Sequence, residues 1–239
     1  MLDLPIALHT PDGFLSGHVA LVCGVLAIAA VAYGLRIANV ELDEARVPLL
    51  GVLAAFIFAA QMLNFPIAGG TSGHFLGATL AAVLLGPWLA CLVMAVVLTV
   101  QAFAFADGGI SALGANILNM GVLGALLAGL VVGALVKALP HTRGVFLTIV
   151  AGVSWLAVMV GAAATSFELA ISDTVPLGTS LPPMLGVHSL IGIGEAIITT
   201  AAVAAVLVSR PDLVALAPEA LRTMPAPAPQ PIAEGRVSA

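Results

Sequence analysis

Residues 47–106 read VPLLGVLAAFIFAAQMLNFPIAGGTSGHFLGATLAAVLLGPWLACLVMAVVLTVQAFAFA, sixty positions without a lysine, arginine, aspartate or glutamate. A helix crossing about 30 Å of hydrocarbon needs about 20 apolar residues, so this run is too long for one crossing. Two stretches punctuate it, NFPIAGGTSG at 64–73 and GPW at 86–88. They divide it into three passes, 47–64, 74–86 and 88–106. The middle pass is short: at about 1.5 Å per residue it rises only about 20 Å. The glycine-rich segment before it must therefore dip into the membrane or lie in a protein-lined cavity, since non-helical backbone is tolerated at that depth only there.

Working outward, charge-free stretches give further helices at 13–35, 111–137, 145–167 and 186–208. The expectation is an all-α polytopic membrane protein with seven transmembrane helices in a domain at 13–208. A short segment, 1–12, precedes it. A Pro/Ala-rich tail, 209–239, follows and reads as disordered from Pro211. Composition agrees: 61% of the 239 residues are apolar, 8% are charged, and the mean hydropathy is +1.18. An ordinary globular domain carries roughly 25% charged residues. A soluble enzyme, a disordered chain and a nucleic-acid binder, which needs basic patches, are excluded.

The few charges set the orientation. With seven spans the termini lie on opposite sides. Placing the N-terminus outside puts Arg36, Arg46, Lys137, Arg143, Arg210, Arg222 and Arg236, all seven basic residues, in inner segments. The outer segments carry Asp3, Asp12, Asp107, Glu168 and Asp173. This seven-to-none split follows the positive-inside rule and makes the C-terminus cytoplasmic.

Four of the five histidines then fall on the outer side: His9, His18, His74 and His188; His141 sits in an inner loop. Ionisable groups within a membrane are costly and read as functional by default, and imidazole suits nickel, cobalt, copper and zinc. In LHTPDGF, Pro11-Asp12-Gly13 is a strong turn signal that points residues 8–10 back toward the bundle. In GGTSGH, glycines allow a tight turn and Thr71 and Ser72 can cap a helix starting near His74. A plain turn and a plain capping loop are the structural alternatives. Glu195 lies two turns from His188 on one helix face. It can pair with that histidine through water, bind a buried amide, or act as counter-charge to a cation. Cys23 and Cys91 read as small packing residues.

These segments resemble the CbiM/NikM family, the substrate-binding (S) components of cobalt and nickel energy-coupling-factor (ECF) ABC transporters. HTPDGFLSG resembles its N-terminal signature, NFPIAGGTSGHFLGATLAAVLLGPW its metal-site loop and following helix, ADGGISALGANILNMG a third block, and MLGVHSLIGIGEAIIT its last helix. The resemblance implies capture of Ni2+ or Co2+ at an outward-facing, nitrogen-rich site. In the family the chain starts Met-His. Its amine, the next amide nitrogen and the imidazole chelate the metal, and the histidine of the glycine-rich loop is the fourth ligand. Mapped here, the imidazoles are His9 and His74. Here, however, MLDLPIAL precedes His9, and an internal Leu8 has no amine to offer. Three readings remain: translation starts at the position of Leu8, residues 1–7 are removed, or the site differs, with Asp12 or His188 completing it.

Ser72, Gln101, Asn116, Asn119 and His188 are candidates to orient the ligands. Ala55 and Ala59, small residues four apart, form a candidate docking face. The resemblance implies a transmembrane coupling (T) subunit, ATP-binding subunits, a small accessory membrane protein, and placement in the bacterial inner membrane. No GxxxxGK[ST] loop occurs, so ATP hydrolysis falls to partners. Without HExxH an intramembrane metalloenzyme is disfavoured; the chain reads as no enzyme and needs no cofactor besides its cargo. A stand-alone secondary metal transporter or channel is the alternative, for which an internal repeat is missing.

Overall fold

A computed structural model describes residues 9–42, 44–62, 65–67 and 71–223, with backbone alone at 41, 45, 65–67 and 71–73. Among the described residues five helices are long and apolar enough to cross a membrane. These are α1 (Gly17–Glu41), α4 (Pro87–Phe105), α5 (Leu113–Ala138), α6 (Arg143–Ile171) and α7 (Leu177–Ser209). Two shorter apolar helices lie between α1 and α4: α2 (Val47–Gln61) and the eight-residue α3 (Ala78–Leu85). The chain is a multi-pass membrane protein, and all seven expected apolar segments are helical.

Local chemistry marks the boundaries. Ser16 caps α1, accepting from the Val19 N–H. Gly86, at φ +89°, turns the chain between α3 and α4, and Pro87 starts α4 where its missing N–H costs nothing. The glycine-rich segment contains a hairpin, β1 (Phe65–Ile67) antiparallel to β2 (Thr71–Gly73). Helix α3 begins at Ala78, not near His74, and its cap is Gly77 rather than Thr71 or Ser72. All eight residues of α3 are buried, as are residues 74–77 before it. The hydrophobic core runs around α3 and takes in Ile57, Met94, Met120, Phe146 and Val203.

Three boundaries differ from the expectation. Helix α7 starts at Leu177 rather than 186, carrying Pro182 and Pro183 inside it. Helix α6 runs on to Ile171, so Glu168 is not in an outer segment. It is buried within the helix, accepting from Asn119 Nδ2 at 2.9 Å and from the Cys23 thiol at 3.5 Å. The tail folds back beyond Pro211: a 3-10 turn (Pro211–Leu213) and a short helix α8 (Glu219–Arg222) bury Val214, Ala217 and Leu221 in the core. Ala215 and Leu216 donate their N–H groups to Leu84 O at 3.4 Å and Val83 O at 3.1 Å. A helix leaves its last four carbonyls without partners. Helix α3 is so short that its C-terminal end lies buried, and the returning chain supplies two of the donors. Residues 224–239 lie outside the described residues.

Val214 is fully buried in this returning segment. Val214→Asp should cost on the order of 3 kcal/mol or more, because it buries an unpaired charge. A thermal melt in detergent should show a clear drop in midpoint; an unchanged midpoint means the segment is not docked.

Candidate metal centre

The N-terminal segment is pinned to the first turn of α5 and to the loop before it. Thr10 donates its N–H to Asn116 Oδ1 at 2.9 Å, and Asn116 Nδ2 donates to Thr10 O at 3.2 Å. Gly109 N–H donates to the same carbonyl at 2.9 Å. Asp12 accepts from the backbone N–H and the hydroxyl of Ser111. These bonds hold the Asp12 carboxyl below the usual carboxylate range. Gly109 permits this contact: a Cβ there would stand 2.3 Å from Asp12 N. The Pro-Asp-Gly turn thus folds as expected, with Gly13 at φ +82°, and leaves His9 and Thr10 buried.

The second element is the loop before α3. Gly77 sits at φ +72°, and a Cβ there would meet Ile57 and Phe75 at 2.9 Å, so glycine is required. His74 Nδ1 donates to Phe75 O at 2.9 Å. Glu195, on α7, accepts from Leu76 N–H at 2.7 Å and from Gly77 N–H at 2.9 Å. Of the three roles open to Glu195, its bond to buried amides is the one found. Gln61 Nε2 donates to Leu76 O at 2.7 Å and Gln101 Nε2 to Gln61 Oε1 at 3.0 Å.

The two elements bring His9 and His74 together. Their ring centroids are 4.6 Å apart, edge to face at 89°. His9 Nδ1 stands 3.4 Å from Asp107 Oδ1. The Nε2 atoms of both rings are buried and have no hydrogen-bond partner among the described residues. Leaving such an atom unpaired costs about 1–3 kcal/mol, and a lone pair held this way is what a nitrogen-preferring transition metal takes. Among the described residues no group of three or more His, Cys, Asp and Glu is arranged to hold an ion. Two imidazoles therefore need other donors to complete a shell.

Burial pushes the His9 imidazole down to about 4, the hydrogen bond at Asp107 offsetting part of the effect. The ring is neutral at pH 7, as ligation demands. Burial pushes the Asp107 carboxyl up, against the pull of His74.

The other candidates divide. Asn116 holds the residue after His9. Gln101 reaches the loop only through Gln61, a residue hidden in an apolar run. His188 is buried on α7, its Nδ1 donating to Met184 O at 2.8 Å and its Nε2 without a partner. Asn119 points elsewhere, to Glu168 and Thr165. His18 and His141 are exposed. Ala55 and Ala59 lie together on the exposed face of α2. Leu8 lies outside the described residues, and Ser72 is described by its backbone alone. Asp107 and Gln61 were not named as site residues: Asp107 stands in the third block but was read only as an outer-segment charge, and Gln61 belongs to no motif.

The family described as cobalt uptake substrate-specific transmembrane region, CbiM, matches residues 9–213. A putative fused nickel transport protein NikMN of Archaeoglobus fulgidus is 40% identical over 210 residues, covering 87% of this chain and 68% of its own length. A putative cobalt transport protein CbiM of Methanococcus voltae is 36% identical over 172 residues, covering 71% and 75%. The crystal structure of a truncated transition metal transporter superposes with a TM-score of 0.72 at 32% identity, covering 83% of this chain and 98% of that one.

The low affinity of His9 for protons makes docking of the segment pH-dependent. An undocked His9 titrates near its ordinary 6.5, the docked one near 4. Between these values the undocked form binds more protons, so docking weakens as the pH falls through that window, by on the order of 3 kcal/mol in all. Hydrogen-exchange protection of the Thr10 amide, corrected for intrinsic rate, should fall from pH 7 to pH 4.5 and stay level in His9→Phe. A flat profile in the parent chain contradicts this.

Proposed function

The chain belongs to the CbiM family, and from this premise we propose that it is the ion-capturing S subunit of an ATP-driven ECF importer for Ni2+ or Co2+. One observation carries the reading: His9 and His74 are buried edge to face at 4.6 Å, with Nε2 of His74 unpartnered and Nδ1 of His9 held only 3.4 Å from the Asp107 carboxyl. Two imidazoles are half of a planar four-nitrogen shell. The proposal completes it with an amine and a backbone nitrogen from a chain that begins at position 8, Leu8 or an initiator methionine in its place. These donors join the imidazole of His9 in adjoining chelate rings, a strong planar field that suits Ni(II). Closing the ring with its own backbone nitrogen uses Nδ1 of His9. That atom faces Asp107 here, so the ion and Asp107 compete for it.

The proposed topology has seven spans, with the N-terminus outside and the C-terminus cytoplasmic, in the bacterial inner membrane. Helices α2 and α3, too short to cross singly, count as the second and third spans, and the segment 211–223 covers α3 from the inner side. ATP hydrolysis belongs to partner subunits. A transmembrane coupling subunit meets the exposed face of α2, where Gly51, Ala55 and Ala59 recur every four residues and allow close helix approach.

Nickel and cobalt titrations by calorimetry test the site. A chain started with methionine at position 8 should bind more tightly than the full chain, and His74→Ala should lose at least a hundredfold in affinity. Normal binding by His74→Ala removes the site assignment. The docking face is tested separately. Ala55→Leu with Ala59→Leu should cut metal uptake in cells bearing the complete transporter at least tenfold while leaving binding unchanged; loss of binding as well assigns these alanines to the fold.

A further inference from the structure

We propose that Glu195 is a positioning residue of the ion site, acting on His74 through a single peptide unit. The proposal rests on the reading of His74 as a metal ligand and adds what controls that ligand. The peptide joining Phe75 to Leu76 is bonded at both ends. Its carbonyl, Phe75 O, accepts from His74 Nδ1 at 2.9 Å; its N–H, on Leu76, donates to Glu195 Oε2 at 2.7 Å. The result is a continuous chain: carboxylate, amide N–H, amide carbonyl, imidazole Nδ1–H, and at the far side of the ring the unpartnered Nε2.

Hydrogen bonds in series polarise one another, and a low-dielectric interior strengthens the effect. A carboxylate drawing on the N–H makes the carbonyl a better acceptor. That in turn holds the imidazole proton on Nδ1 and raises the basicity of Nε2. Metal sites achieve the same end when a carboxylate accepts directly from the ligating histidine. Here a peptide is interposed, so the carboxylate can sit on a different helix, 119 positions further along the chain.

The alternative, that Glu195 is a cap for α3, accounts for less. Caps are ordinarily local Ser, Thr, Asp or Asn side chains at the first residue. Gly77 occupies that place, and its neighbours leave no room for a Cβ. Glu195 is buried at 2% exposure and every partner it has is a donor: Leu76 N–H, Gly77 N–H at 2.9 Å, and the Thr199 hydroxyl at 3.4 Å. The pocket is built for the anion. Gln61 grips the next carbonyl, Leu76 O, so the peptide is held against rotation as well.

The test is Glu195→Gln in the chain started with methionine at position 8, with Glu168→Gln as the control. Among the described residues Glu168 is the other buried glutamate, and its carboxyl bonds Cys23 and Asn119 rather than the loop. Two readouts are taken on protein whose thermal midpoint and gel-filtration profile match the parent. First, 15N shifts of labelled histidine report the His74 tautomer without metal, so this readout stands or falls independently of the ion reading. The parent should hold the Nδ1–H form, Glu195→Gln a mixture of both, and Glu168→Gln the parent form. Second, nickel dissociation, followed with a competing chelator, should be at least tenfold faster in Glu195→Gln and within twofold of the parent in Glu168→Gln. Should Glu195→Gln not fold, Glu195→Asp keeps the charge but retracts the oxygens, and the same changes are expected in it. A folded variant with unchanged tautomer and unchanged dissociation overturns the proposal, as does an equal effect from Glu168→Gln.

Discussion

A stretch of non-helical backbone buried inside an apolar bundle must find partners for its own N–H and C=O groups, and the structure is arranged around that need. Residues 74–77 cannot use water and form neither helix nor strand. Their groups are taken up by side chains from other helices: Glu195 from α7 on two amides and Gln61 from α2 on one carbonyl. An unsatisfied backbone group in such a place costs several kcal/mol. The buried glutamate and glutamine are thus required by the loop, and the loop is what presents His74.

The same logic governs the N-terminal segment. It lies in the bundle as bend and turn rather than helix or strand, and Asn116 meets Thr10 with both its acceptor and its donor. His9 is thereby buried against His74 and Asp107, where its ring is neutral. Neither histidine belongs to a regular element. Each sits on a short irregular segment fixed by long-range hydrogen bonds to rigid helices, an arrangement that places two imidazoles precisely without a helix face to carry them. The covered C-terminal end of α3 has a similar cause: the helix is too short to reach a surface, so the chain after α7 returns to cover it.

Much of this was legible in the sequence, because charge is so scarce that every interruption of an apolar run carries information. The sixty-residue run predicted three helices with a short middle one, and Gly86-Pro87 marked a boundary that holds. Pro11-Asp12-Gly13 marked the turn that buries His9, and Asn116 was named beside it. Other features escaped for reasons of the same kind. Glu168 was read into an outer segment because charge usually marks a helix end; Asn119 and Cys23, which donate to its carboxyl, come from two other helices. Gln61 sits in an apolar run without a motif around it. The last helix was expected from 186 because the charge-free apolar run was counted from there, yet α7 begins at Leu177 and carries Pro182 and Pro183 near its first turns. The tail's apolar positions, Val214, Ala217 and Leu221, are too few to stand out among prolines and alanines; they become meaningful once the unpaired carbonyls of α3 are seen.

The most direct measurement is nickel-edge anomalous diffraction from crystals of the nickel-loaded chain begun at position 8. One strong peak is expected at bonding distance from the His9 imidazole and from His74 Nε2, with Glu195 still on the Leu76 and Gly77 amides. A peak elsewhere, at His188 or beside Glu168, with none between His9 and His74, would contradict the site.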